Sequence, residues 1–134
     1  AAREYGLEAL NAALDGIEQP TAIHICFGYA AIIHERPEGY SFLPEFAQCS
    51  CNQISIETAQ SNLDTTVLET LPEKTIILGV INLEDMAIES PETVATRIRR
   101  GLEHCQTGGD GEGYGDRARG NFGLTPLSGR PIWR

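Results

Sequence analysis

A histidine and a cysteine lie two residues apart in the apolar stretch TAIHICFG, residues 21–28. Successive side chains of a β-strand point to opposite faces, so His24 and Cys26 are expected to share one face of a strand. Imidazole nitrogen and thiolate sulfur are both zinc ligands. A buried cysteine more often serves as a small hydrophobic residue, so the pair indicates a metal site only if a further ligand lies nearby.

A third candidate ligand follows a second predicted strand. Ile54 and Ile56 alternate with polar residues in NQISIE, residues 52–57, and Glu57 stands at the C-terminal end. In parallel α/β sheets, functional side chains gather at the C-terminal ends of the strands. His24, Cys26 and Glu57 would then offer one nitrogen, one sulfur and one oxygen to a single zinc ion and leave a position for a substrate. A cap or a salt-bridge partner is the alternative role for Glu57.

A second cysteine pair is not expected to join this site. Cys49 and Cys51 precede the second strand, so they should lie at its opposite end, about 15–20 Å away for a strand of ordinary length. We therefore exclude them as ligands of the same ion.

Helical and strand periodicity predict the elements that position these residues. Leucines at helical spacing predict a helix over Arg3–Ile17, which Pro20 ends. A short helix is expected near Pro44, and the segment 64–71 is weakly helical. The apolar run TIILGVINL, residues 75–83, predicts a strand covered on both faces. A last helix should begin after the N-cap Ser90, with Arg97, Arg99 and Arg100 facing outward.

Strands separated by helical segments predict an α/β fold with a parallel sheet, most simply the later strands of a (β/α)8 TIM-type barrel. This partial barrel domain should cover residues 1–105. Residues 106–134 are glycine-rich and aperiodic, which predicts an irregular or disordered tail.

Charge and composition exclude several kinds of partner. The chain has 134 residues and a net charge of -9, with 19 acidic against 10 basic side chains. This balance opposes binding to nucleic acid or to anionic membranes. Because no apolar run approaches the length of a membrane span and the start does not read as a signal peptide, we expect a cytoplasmic protein whose cysteines are thiols or ligands.

Four sequence blocks resemble one enzyme family. HIC at 24–26, ISIETAQS at 54–61, ILGVINLED at 77–85 and IESPETVATRIRRGLEH at 88–104 are similar, in order and spacing, to the catalytic barrel of cobalamin-independent methionine synthases and their shorter relatives. The resemblance implies that His24, Cys26 and Glu57 are zinc ligands. The family's fourth ligand, a cysteine in an Asp-Cys-Gly motif, has no match here, and Cys105 lies in the wrong place for it.

The resemblance implies methyl transfer to a thiol. Zinc would hold a thiol substrate, homocysteine in the family, as the thiolate that accepts a methyl group from a methylated folate. Asn82, at the end of the third strand, and Tyr29 are the candidate substrate-binding residues. Their alternative roles are a strand-end cap for Asn82 and local packing for Tyr29.

Two other interpretations remain open at this point. A related zinc barrel could alkylate another thiol, such as coenzyme M. The chain could instead be a truncated, non-catalytic module, since the open edges of part of a barrel favour association, including a homo-oligomer.

Overall fold

The computed structural model describes residues 2–26, 28, 39–82, 84, 85 and 87–105. The helices and strands in these ranges are α1 (Ala2–Leu14), β1 (Ala22–Ile25), β2 (Gln53–Glu57), β3 (Thr75–Gly79) and α2 (Pro91–Leu102). Two short 3₁₀ helices, Leu43–Gln48 and Thr65–Thr70, flank β2. The predicted tail, 106–134, and Tyr29 lie outside the described residues.

The three strands form one parallel sheet in the order β1-β2-β3. His24 pairs with Ser55, and Ser55 pairs with Ile77 on the other side. The predicted α/β class with a parallel sheet is therefore confirmed.

One face of the sheet packs on the helices and forms the core. The fully or nearly fully buried strand residues on this face are Ile25, Ile54, Ile56, Ile76 and Leu78. Leucines of α1 and apolar residues of α2 pack against them as partly buried neighbours. The opposite face, which we call the polar face, carries Ala22, His24, Gln53, Ser55, Glu57, Thr75, Ile77 and Gly79.

One helix and one strand are shorter than the sequence predicted. Helix α1 ends at Leu14 rather than Ile17, because Gly16 takes a left-handed φ of 76° that ends the helix, and Ile17 is left 51% exposed. Strand β3 ends at Gly79 rather than at residue 83. Within the described residues only one face of β3 is covered, since Ile77 is half-buried while Ile76 and Leu78 are buried.

Helix α2 begins as predicted, but two of its arginines do not simply face outward. The Ser90 hydroxyl accepts a hydrogen bond from the Thr93 amide and caps the helix. Arg97 donates to the carbonyl of Val80 at 2.7 Å, and Arg100 donates to the carbonyl of Leu63 at 2.7 Å. These long side chains reach back to the strand ends because their guanidinium groups satisfy carbonyl oxygens there.

The second cysteine pair, Cys49 and Cys51, precedes β2, and both side chains are buried. Lys74, the chain's single lysine, is also buried, and its ammonium donates to the carbonyl of Cys51 at 2.9 Å and to that of Cys49. Burial, followed by the hydrogen bond with Cys49, raises the pKa of the Cys51 thiol to about 11. This cluster fixes the chain where it enters β2.

Close approach of β2 and β3 generates the first prediction. A Cβ on Gly79 would lie 3.1 Å from the Cα of Glu57 and from the carbonyl oxygen of Ile56, whereas a Cβ on Gly6 would meet nothing within 4 Å. Gly79→Ala should destabilise the chain by about 1–3 kcal/mol, because main-chain atoms must move. Gly6→Ala should stabilise it by about 0.5–1 kcal/mol, because Gly6 lies inside α1. Urea denaturation of both variants measures the difference, and equal effects would contradict the packing described.

Candidate metal centre at the strand ends

The three candidate ligands lie at one end of two neighbouring strands. His24 is in β1, Cys26 follows the last residue of β1, and Glu57 ends β2. The register pairs His24 with Ser55 and Ile25 with Ile56, and Cys26 and Glu57 are the residues that follow this last pair. His24 and Glu57 fall on the polar face, and that the three residues form one site stays a prediction.

His24 presents one ring nitrogen to the protein. Its Nδ1 lies 3.0 Å from the hydroxyl oxygen of Ser55, and the side chain is exposed. Its other nitrogen, Nε2, makes no hydrogen bond within the part of the chain that the structure describes. Histidine ligands in metal sites have this arrangement, with one nitrogen held by a partner and the other on the metal.

Glu57 is the most constrained of the three. Its side chain is buried, and its carboxylate accepts hydrogen bonds from the amides of Gln60 at 2.6 Å and Ser61 at 3.1 Å. The carboxylate therefore caps the turn after β2, which is the alternative role considered for it. Two bonds leave lone pairs unused, since a carboxylate offers about four acceptor sites.

Tyr40 anchors this strand end, a role that the sequence did not indicate. Its hydroxyl donates to the main-chain oxygen of Glu57 at 3.1 Å. Burial raises the pKa of Tyr40, and the charges of Glu57 and Cys26 raise it further. The phenol therefore stays protonated and keeps donating at physiological pH.

The donor types fit zinc, but the side chains are not gathered. No group of three or more His, Cys, Asp or Glu side chains arranged to hold a metal occurs among the residues described. The oxygens of the Glu57 carboxylate accept hydrogen bonds from the loop at Gln60 and Ser61. Imidazole, thiol and carboxylate near the same end of two neighbouring strands nevertheless form a donor set that suits zinc.

Asn82 has a local structural role at the end of β3. Its side-chain oxygen accepts a hydrogen bond from the main-chain amide of Glu84 at 2.9 Å. Its main-chain amide donates to the carboxylate of Glu89 at 3.0 Å. Glu89 also pairs with Arg97. These contacts correspond to the strand-end cap, and substrate binding by Asn82 stays a prediction.

A cavity of about 470 Å³ lies beside the loop that holds Glu57. Its lining includes Tyr40, Ser41, Ser61, Asn62 and Asp64. The volume falls in the range of small-molecule sites, and the mainly apolar lining carries several hydroxyl groups and the Asp64 carboxylate.

The environments of the cysteines predict an order of thiol reactivity. Cys26 is exposed, Cys49 and Cys51 are buried, and Cys105 is half-buried with its pKa raised by burial. Iodoacetamide at neutral pH should label Cys26 at least about tenfold faster than Cys49 or Cys51, since reaction requires an accessible thiolate. Peptide mass spectrometry after timed quenching measures the order. Early labelling of Cys51 would contradict the buried cluster at Lys74.

Two curated proteins similar to this chain are both methionine synthases. A methionine synthase of Thermococcus kodakarensis is 27% identical over 101 residues, which make up 75% of this chain and 27% of that protein. A methionine synthase of Saccharolobus solfataricus is 30% identical over 105 residues, 75% of this chain and 28% of that protein. The chain matches no protein-family model. It thus spans little more than a quarter of the length of these relatives.

A solved structure shares the fold. The B12-independent methionine synthase of Shewanella sp. W3-18-1, in complex with selenomethionine, superposes with a TM-score of 0.70 and 25% identity, covering 96% of this chain and 38% of that one. In fold and in sequence the chain is thus similar to part of a methionine synthase. The expected resemblance to the cobalamin-independent methionine synthase family is confirmed, for a part of the family's length.

Within the described ranges, no helix combines the length and apolar character needed to cross a membrane.

Proposed function

We propose that the chain is part of a zinc-dependent methyltransferase that moves a methyl group from a methylated folate to a thiol such as homocysteine, in cytoplasmic methionine synthesis. Its three parallel strands would belong to a (β/α)8 barrel. The observation that carries the proposal is the placement of His24, Cys26 and Glu57 at one end of adjacent parallel strands, away from the apolar core.

Each candidate ligand has a defined contribution. His24 would offer Nε2, because Nδ1 is held by Ser55. Cys26 would offer its exposed sulfur, and Glu57 a carboxylate oxygen beyond those lone pairs that the amides of Gln60 and Ser61 occupy. A bound zinc ion would supply the Lewis acidity that keeps a thiol substrate deprotonated at neutral pH.

Two observations support a thiol and its methylated product as ligands. The solved relative is described in complex with selenomethionine, the selenium analogue of methionine. The cavity next to the Glu57 loop offers a mainly apolar wall, several hydroxyl groups and the Asp64 carboxylate to a small molecule. Asn82 and Tyr29 stay our candidates for substrate contact.

Metal titration tests the ligand set. Cobalt added to the chain should give thiolate-to-cobalt absorption in the near ultraviolet. Cys26→Ser should weaken binding most, because thiolate is the strongest of the three ligands, and Cys49→Ser should leave it nearly unchanged. Equal losses from the two variants would refute the strand-end site. Since the family's fourth ligand has no match, the affinity should be below that of a complete site.

A methyl-transfer assay distinguishes homocysteine from other thiols as the acceptor. The protein that carries these residues should methylate homocysteine from a methylated folate, and Cys26→Ser should abolish turnover. Preference for coenzyme M over homocysteine would favour the related alkyltransferases instead.

We further propose that the chain self-associates through its sheet edges. Within the described residues β1 and β3 each have a neighbouring strand on one side only, and Ile81 and Ile88 are exposed near the end of β3. Unpaired edges and exposed apolar side chains favour association. Sedimentation velocity should show species larger than a monomer that grow with concentration. A single monomeric species across a hundredfold concentration range would contradict this.

A further inference from the structure

We infer that Ser55 is a positioning residue for His24: its hydroxyl holds Nδ1 and so directs Nε2 toward the strand-end site. The inference deepens the proposed function and rests on it. Ser55 does not belong to the candidate ligand set. It was found only through the register that places it opposite His24.

The contact joins two neighbouring strands. The Ser55 oxygen lies 3.0 Å from Nδ1 of His24, and both side chains stand on the polar face. Level residues of adjacent strands are close neighbours, so a short polar side chain reaches the ring without distortion.

The residues on either side of Ser55 anchor its main chain in the core. Ile54 and Ile56, on either side of it, are completely buried in the core. The hydroxyl therefore stands on a rigid part of the sheet, whereas the His24 ring is exposed and needs an external contact to restrict its orientation. A serine on the core-anchored central strand is well placed to provide that restriction.

The chemistry requires a particular tautomer. A neutral imidazole has one N–H donor and one acceptor nitrogen, and a metal binds the acceptor. When the Ser55 oxygen accepts from Nδ1–H, the lone pair lies on Nε2. With the hydrogen bond in this direction, Ser55 would fix the orientation of the ring and leave Nε2 free for a metal.

Two isosteric substitutions separate this role from simple packing. Ser55→Thr retains the hydroxyl, and Ser55→Val has the same shape as the threonine variant without it. Ser50→Ala is the matched control, because Ser50 precedes β2 and its recorded contact is made by its main-chain amide, which donates to Asn11. His24→Gln reports whether the histidine is a ligand at all.

Two measurements are made on each variant. Nitrogen-15 NMR of the metal-free chain identifies the tautomer of His24. Wild type, Ser55→Thr and Ser50→Ala should show the proton on Nδ1, and Ser55→Val should lose this preference. Cobalt titration should show binding about 10- to 100-fold weaker for Ser55→Val than for Ser55→Thr.

The outcomes distinguish a failure of the role inferred for Ser55 from a failure of the proposed metal function. If His24→Gln abolishes cobalt binding while Ser55→Val matches Ser55→Thr in tautomer and affinity, the role of Ser55 is refuted and the metal site stands. A proton on Nε2 in the wild type would also refute it. If His24→Gln binds cobalt as the wild type does, or the wild type binds none, the proposed metal function fails, and the tautomers alone decide whether Ser55 orients the ring.

Discussion

The parallel hydrogen-bond register between β1 and β2 is the constraint on which the candidate site depends. Once Ile23 is level with Ile54, the next residues are fixed, and His24 must stand beside Ser55. The same alternation sends Ile25 and Ile56 into the core. A shift by one residue would bury the histidine and expose isoleucines, so the hydrophobic free energy of the core also maintains the polar face.

Four groups of contacts hold the end of β2 and the loop that follows it. Tyr40 binds the main-chain oxygen of Glu57, and the following turn binds its carboxylate. Gly79 permits the close approach of β3, and Arg100 reaches from α2 to the carbonyl of Leu63. Glu57 is thus a rigid element of the strand end, in contrast to the exposed side chains of His24 and Cys26.

Sequence periodicity predicted what depends on local pattern. The strand expected at 52–57 is Gln53–Glu57, and the helix expected after Ser90 begins at Pro91 with that serine as its cap. Sequence periodicity did not predict the side-chain contacts that depend on residues distant in the sequence. The direction of the Glu57 carboxylate depends on the turn that follows the strand. The main-chain oxygen of Glu57 accepts a hydrogen bond from Tyr40, which lies 17 residues upstream. The contacts of Arg97 and Arg100 were not predicted, because a flexible charged side chain has no periodicity that reveals its acceptor.

The buried ammonium of Lys74 has a chemical consequence for the whole chain. It is the chain's single lysine, and the carbonyls of Cys49 and Cys51 hold its amine inside the protein. Acylation, methylation or conjugation of a lysine therefore requires the segment before β2 to open first. The rate at which amine reagents reach this side chain is a direct measure of local unfolding at the entrance to the central strand.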